Sequence, residues 1–333
     1  MRIEVIKPGL QTTLQDAGRL GFAHLGIGRT GAFDTPALRI ANALVGNARD
    51  ACALEITLLG PMLRFRHGAW IAVTGAPTVF RIDGVDARMW APVHVPANTN
   101  VELGAMRSGC RACLAVAGGF DVEPVLGSRS TDANVRLGPF GGRPLRTGDV
   151  LKIGKTGGKR HAAKGTVTAP QWSIDARPWF DDDPAHALRL LPGTHLDNLT
   201  EISRKGLFSQ YFIVDTDSNR VGLRLNGPRL EWTSPIEMVS EGCVPGLLQL
   251  PPSGQPIALG PESPVSGGYP RLGQIIAVDL PRLAQRRTGD AVRFRPCTSE
   301  EAWRALRERE TGLRRLERRI TARLQREYST TTP

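Results

Sequence analysis

The chain has 333 residues, enough for one large domain or two compact ones, and its 41% hydrophobic and 23% charged residues are typical of a globular protein. This composition excludes a disordered, collagen-like or coiled-coil chain. The formal net charge of +11 favours anionic partners, but no helix-turn-helix, RNA-recognition or zinc-finger pattern accompanies it, so we expect no nucleic-acid binding.

The sequence also predicts where the protein is located and the chemical state of its cysteines. No segment approaches the roughly 20 consecutive apolar residues of a membrane helix, and the N-terminal sequence lacks the apolar core of a signal peptide, so we expect a cytoplasmic protein. The five cysteines are expected to be reduced. Cys110 and Cys113 form one C-x-x-C pair at a predicted turn and buried strand, but a zinc site needs a second pair, so we predict no metal site.

The predicted elements begin with a strand over RIEVIK that ends at a Pro-Gly turn. Asp34 caps an amphipathic helix that has Pro36 in its first turn and ends near Gly46. From Ala53 to Ile153, short apolar runs alternate with Gly, Pro, Asp or Asn. This rhythm predicts a barrel or sandwich of strands rather than a parallel sheet with alternating helices.

The composition divides the chain into four parts. Residues 1–155 form a predicted N-terminal barrel domain, 156–185 a linker, and 186–298 a C-terminal barrel domain. The Arg-rich segment 299–333 predicts a solvated helix, which serves either as an interaction helix or for solubility. Both predicted domains end with a similar stretch of sequence, LRTGDVLKIG and RRTGDAVRFRP, which is consistent with two related barrels.

Polar side chains are concentrated in glycine-rich loops, where binding residues are common, although capped turns give the same pattern. The GSRSTD loop offers hydroxyls, a guanidinium and a carboxylate to an anionic or amide ligand. On an extended strand, Arg220 and Arg224 would share one face and suit a carboxylate or phosphate, with salt bridges as the alternative. The candidate substrate-binding residues are Gln11, Ser128, Arg129, Ser130, Thr131, Asp132, Ser240, Gln249, Gly267, Gly268 and Tyr269.

Residues 1–297 carry, in order, the motifs IEVIKPGLQTTLQDAGRLG, GAFDTPALRIANALVGN, LEITLLGP, VLGSRSTD, SNRVGLRL, MVSEG, GLLQLPPSGQPIAL and SGGYP. In this order they resemble the allophanate hydrolase subunit 2-like family, also called the biotin-dependent carboxyltransferase family. The resemblance implies a mainly β protein with two cyclophilin-like β-barrel domains and few short helices, to which the C-terminal helical extension is added.

The resemblance also implies a function within a complex. It implies one component of an ATP-dependent 5-oxoprolinase-type amidohydrolase that opens 5-oxoproline to glutamate. The implied partners are an allophanate hydrolase subunit 1-like protein, which corresponds to KipI or to the B subunit of 5-oxoprolinase, and the lactam-binding A subunit of 5-oxoprolinase. Because the chain has no nucleotide-binding loop, ATP is expected to be bound by, or shared with, these partners.

Two alternatives stay open. One is a carboxyltransferase component of a urea carboxylase, which would need biotin on a separate carrier. The other is a non-catalytic regulatory module of the KipA type that binds a kinase-inhibitor partner.

Activating an amide or lactam requires cations and N–H donors around a developing oxyanion, together with groups that handle protons. One departure from the family pattern bears on this chemistry: where the family commonly has D-R-Q-T-T before Gly-Gly-Tyr-Pro, this chain has Glu262–Ser266. We also expect Arg220→Ala to abolish turnover while the fold stays intact. The candidate catalytic residues are Arg220, Arg224, Glu241, Asp16 and Arg19.

Overall fold

The computed structural model describes residues 1–155 and 166–330, which divide into two compact units. Part of the predicted linker, residues 156–165, lies outside the described residues. The first unit comprises Met1–Gly18, Asp34–Asp181 and Thr311–Pro333, and the second comprises Arg19–Phe33 and Asp182–Glu310. These units differ from the predicted domains because Arg19–Phe33 hydrogen-bonds within the second unit, and because the C-terminal helix contributes residues to both.

The first unit contains two antiparallel sheets around one apolar core. Its strands are β1 (Arg2–Lys7), β2 (Gln11–Gln15), β3 (Ala53–Thr57), β4 (Met62–Phe65), β5 (Ala69–Gly75), β6 (Thr78–Ile82), β7 (Val85–Asp86), β8 (Val93–Val95), β9 (Thr99–Met106), β10 (Arg111–Val116) and β11 (Val150–Lys152). The sheet orders are β11-β1-β4-β9-β6-β7 and β2-β3-β10-β5-β8. All six residues of β10 are buried, which confirms the strand predicted after Cys110.

Two helices of the first unit follow local sequence signals. α1 (Thr35–Val45) begins after Asp34, whose carboxylate accepts the Ala37 amide at 3.0 Å, and it ends at Gly46 with a φ of 78°. Both predicted ends are therefore confirmed. α2 (Pro139–Gly142) is a single turn that contains left-handed backbone.

The second unit is built on an eight-stranded sheet and a separate two-stranded sheet. Its strands are β12 (Leu188–Pro192), β13 (Phe212–Val214), β14 (Gly222–Asn226), β15 (Glu241–Gly242), β16 (Leu247–Gln249), β17 (Ile257–Leu259), β18 (Ser266–Gly267), β19 (Arg271–Ile275), β20 (Ala291–Val292) and β21 (Phe294–Pro296). The larger sheet has the order β20-β13-β14-β17-β16-β19-β12-β21, and β15 pairs with β18. Only Arg293 separates the two edge strands β20 and β21, so the sheet is a nearly closed barrel.

Three further helices complete the fold: α3 (Glu201–Ser209), α4 (Leu280–Ala284) and α5 (Ser299–Thr330). The mainly β class with barrel-like sheets, few short helices and a C-terminal helix is therefore confirmed. The tail is less solvated than expected, because Leu313, Ile320 and Leu324 of α5 are at most 3% exposed. Within residues 1–155 and 166–330, no helix is long and apolar enough to span a membrane.

Candidate functional site

Asp16 organises a buried hydrogen-bond network just after β2 in the first unit. Its Oδ1 accepts hydrogen bonds from the hydroxyls of Ser128 and Ser130, each at 2.6 Å, and from the Gly18 amide at 2.8 Å. Its Oδ2 accepts the Arg129 amide at 2.5 Å. A carboxylate that accepts four hydrogen bonds is held in one position, so Asp16 fixes the loop that carries the two serines.

The two serines close this network among themselves. Ser128 Oγ accepts the Ser130 amide at 3.0 Å, and Ser130 Oγ accepts the Asp16 amide at 3.0 Å. Each hydroxyl has a single proton, and both protons are donated to Asp16, so neither serine has a proton left for a substrate. The geometry favours a positioning role for all three side chains.

The remaining predicted residues of the first unit do not converge on one point. Gln11 is half-buried on β2, and Thr131 is buried, with its carbonyl accepting the Gln15 side chain at 2.9 Å. Asp132 is 3% exposed and accepts two backbone amides of the turn that follows it. Arg129 is exposed, although its Nε donates to a backbone carbonyl at 2.8 Å. Arg129 is therefore the accessible cation of the GSRSTD loop.

Arg220 and Glu262 form a buried ion pair in the second unit. Arg220 Nε donates to Glu262 Oε1 at 2.5 Å, and Arg220 Nη2 donates to the Gly31 carbonyl at 2.7 Å. The two side chains are 2% and 3% exposed, and their pairing offsets part of the cost of burying both charges. The pair holds together three separate parts of the second unit.

Arg19 supports the same segment from its other end. Its side chain is 2% exposed and donates to Thr30 Oγ1 at 3.2 Å, while its amide donates to the Arg29 carbonyl at 2.6 Å. The Thr30 amide in turn donates to the Pro261 carbonyl at 2.9 Å, next to Glu262. Two buried arginines therefore position the loops on either side of this contact.

Arg224 is not part of this group, which corrects the prediction that Arg220 and Arg224 share one strand face. β14 begins at Gly222, so Arg220 lies before the strand in a bend, and strand alternation cannot be counted from it. Arg224 lies on the strand and is exposed, whereas Arg220 is buried. The two guanidinium groups therefore do not converge.

The other predicted residues of the second unit surround the β15–β18 ribbon. Glu241 pairs across it with Gly267, and its carboxylate contacts Arg271 Nη2 at 2.8 Å. Ser240, Glu241 and Tyr269 are exposed, whereas Gln249 is 4% exposed. We call Ser240, Glu241, Gln249, Gly267, Gly268 and Tyr269 the ribbon group.

A thiol lies beneath the ribbon. Gln249 Nε2 donates to Cys243 Sγ at 3.5 Å, and burial raises the pKa of this thiol. A Cβ atom on Gly267 would lie 3.0 Å from Gln249 Nε2 and 3.1 Å from Cys243 Sγ, whereas one on Gly268 would approach only Ser240 Oγ, at 3.7 Å. Close packing therefore favours glycine at position 267.

The segment Glu262–Ser266 is held at both ends. Glu262 pairs with Arg220, the Val265 carbonyl accepts the Cys243 amide at 2.7 Å, and Ser266 pairs with Gly242. The segment that departs from the family pattern therefore connects the ion pair to the ribbon group within the second unit.

Comparison with known proteins identifies the family. Residues 25–296 match the family model described as "Carboxyltransferase domain, subdomain A and B". The chain belongs to this carboxyltransferase family.

Full-length relatives and solved structures agree with this assignment. The chain is 39% identical to the C subunit of 5-oxoprolinase from Escherichia coli over 320 residues, which cover 96% of this chain and 98% of the relative. It is 30% identical to the urea amidolyase of Lachancea kluyveri over 94% of this chain but 18% of that protein. The Kluyveromyces lactis urea carboxylase structure matches with a TM-score of 0.84 and 27% identity, over 95% of this chain and 29% of that chain.

Sequence reasoning assigned no site role to several residues that contact the predicted ones. They are Glu262, Thr30, Cys243 and Arg271, each of which contacts a predicted residue. Glu262 had a usable signal, because it lies in a short turn after an apolar strand, where an acidic residue needs a partner if it is buried. In the described parts of the chain, no group of three or more His, Cys, Asp or Glu residues is arranged to hold a metal ion.

Proposed function

We propose that this chain is the C subunit of an ATP-dependent 5-oxoprolinase, which opens 5-oxoproline to glutamate. The observation that carries the proposal is the match to 98% of the Escherichia coli relative, compared with 18% and 29% of the urea enzymes. The identity to this relative is 39%, compared with 30% to the Lachancea kluyveri urea amidolyase. Its partners in the proposal are an allophanate hydrolase subunit 1-like protein and a lactam-binding subunit, and ATP is a substrate of the complex.

The geometry supports two roles among the site residues, positioning of loops and contact with the substrate. Asp16, Arg19 and Arg220 are buried and position loops, whereas the ribbon group presents exposed Glu241 and Tyr269. 5-Oxoproline carries a carboxylate and a lactam, so it needs a cation and a group that transfers protons. Arg271 supplies a half-buried cation beside Glu241, and we assign Glu241 the proton transfer.

Glu241→Gln tests this assignment, because Glu241 is exposed and the substitution keeps its shape. The complex is captured from its own cells through a tag on this chain, and glutamate formed from 5-oxoproline is measured with and without ATP. We expect ATP-dependent glutamate from the native complex and a roughly 100-fold lower kcat in Glu241→Gln. Glu201→Gln, an exposed glutamate on α3, is the matched control and should keep full activity.

An intact complex that makes no glutamate would contradict the proposed reaction. Full activity in Glu241→Gln, with ATP dependence retained, would instead remove only the role of Glu241. The two failures are therefore distinguishable.

A carboxyltransferase function is the second candidate, and the structural match to the Kluyveromyces lactis urea carboxylase favours it. In that case the captured complex should transfer labelled carboxylate from a carboxylated biotin carrier to urea. Binding of the partner protein without either reaction would support the regulatory module, which stays a prediction, as does the cytoplasmic location.

A further inference from the structure

The second unit contains a pocket of about 490 Å³ that is separate from the Arg220–Glu262 pair, since neither of these residues lines it. It is formed by the first turns of α5, the residues that lead into α4, and the loops around residues 28–29 and 261–265. Leu191, Ile276 and Leu306 are among its predominantly apolar walls. A concave, largely apolar pocket of this size is typical of small-molecule sites.

Among the described residues, Arg29 is the only charged one that lines this pocket. It is exposed, and its side chain has no hydrogen-bond or ion-pair partner among the side chains described, those of residues 1–155 and 166–326. Ser299, the first residue of α5, also lines the pocket and adds the positively polarised end of a long helix. Arg29 and the N-terminal end of α5 therefore favour a negatively charged ligand in this largely apolar pocket.

We propose that this pocket binds an organic monocarboxylate, with its aliphatic or aromatic body against the apolar walls and its carboxylate paired with Arg29. A neutral apolar ligand would leave this cation unpaired. A second negative charge would lie against apolar walls with no counter-charge, which is costly. The assignment is independent of the proposed oxoprolinase function.

The pocket also shares walls with the loops that hold the buried ion pair. Pro261 and Ser263 line it and flank Glu262, while Arg29 directly precedes Thr30, whose amide donates to the Pro261 carbonyl. A bound carboxylate would therefore contact both loops at once. Because a ligand that binds only the folded state stabilises it, we expect occupancy to raise the Tm of the protein.

Decanoate and decanol test the proposal, because they have the same chain length and differ in charge. Each is titrated into the full-length protein by calorimetry, decanoate below its critical micelle concentration and decanol below its solubility limit. We expect decanoate to bind roughly fivefold more tightly than decanol, and Arg29→Ala to remove this difference while decanol binding is unchanged. Arg204→Ala, an exposed arginine on α3, should leave both affinities unchanged.

Alkylation of Cys243 reports where the ligand binds. All five cysteines lie in the described part of the chain, and of these only Cys243 lines the pocket. Bound decanoate should slow alkylation of Cys243 several-fold, as measured by mass spectrometry. Ala277→Trp, a larger side chain on the pocket wall, should abolish this protection and decanoate binding together. Equal affinities for the two probes, no effect of Arg29→Ala, or decanoate binding without protection of Cys243 would each overturn the proposal.

Discussion

At the scale of single residues, burial decides what a substitution of Arg220 measures. The sequence leads to the expectation that Arg220→Ala removes turnover and leaves the fold intact. We now expect a cost in stability as well, because Arg220 is 3% exposed and its removal takes a charged partner away from the buried Glu262 carboxylate. A loss of activity in this variant would therefore not separate chemistry from folding.

We predict that Arg220→Ala lowers the free energy of unfolding by about 3–5 kcal/mol, since it breaks a buried ion pair. Urea denaturation of Arg220→Ala, Glu262→Ala and the double variant measures this effect. The double variant should cost less than the sum of the single variants, because both substitutions remove the same interaction. Arg224→Ala, which is exposed, should change stability by no more than about 0.5 kcal/mol, and an equal cost at both arginines would contradict the buried pair.

At the scale of elements, the two similar stretches of sequence, LRTGDVLKIG and RRTGDAVRFRP, form the same type of turn. The Arg146 amide donates to the Asp149 carboxylate at 2.7 Å, and the Arg287 amide donates to Asp290 at 2.8 Å. In both turns the glycine before the aspartate has a positive φ, 88° and 87°, and donates to a strand carbonyl at 2.8 Å. The resemblance seen in the sequence is therefore a shared local structure that begins a closing strand in each unit.

We predict that Gly148→Ala and Gly289→Ala each destabilise the protein by about 1 kcal/mol, because alanine is strained at a positive φ. No atom lies within 4 Å of the Cβ position at either glycine, so the cost arises from the backbone alone. Gly206→Ala is the matched control, since this glycine lies within α3 with the same open surroundings. In thermal unfolding the control should be stabilised by about 0.5–1 kcal/mol, and a loss at Gly206 equal to the other two would refute the argument.

At the scale of the whole molecule, the Arg-rich tail from Thr311 onwards is a structural part of the first unit. Leu313, Ile320 and Leu324 are buried, and Glu317 contacts Arg39 of α1 at 2.9 Å within that unit. A tail that served only for solubility would bury none of these side chains. The described part of α5 is therefore amphipathic in its packing despite its high charge.

We predict that deletion of residues 311–333 destabilises the protein, because each buried apolar side chain contributes roughly 1.5–3 kcal/mol. Hydrogen exchange should show faster exchange of the α1 amides in the deletion variant. Replacing the exposed Arg315 and Arg318 by alanine removes charge without removing buried surface, and should leave exchange unchanged. Unchanged exchange after the deletion would show that the tail is dispensable for folding.

Much of the fold was predictable because its signals are local. The helix from Thr35 to Val45 has its cap, its proline and its terminal glycine within the sequence itself, and the strand rhythm follows from Gly and Pro spacing. The candidate site was predictable only in part. The loops that carry Asp16, Ser128 and Glu241 could be recognised, but which of these groups are saturated by hydrogen bonds could not.

The sequence by itself determined the mainly β class, the ends of α1 and the family, since these depend on neighbouring residues and ordered motifs. Only the tertiary structure decided that Arg19–Phe33 belongs to the second unit, that Arg220 pairs with Glu262, and that Arg29 borders an apolar pocket. The reason is physical. Burial and charge pairing depend on which distant segments meet, and this sequence carries no local signal for contacts across more than 40 residues, such as that between Arg220 and Glu262.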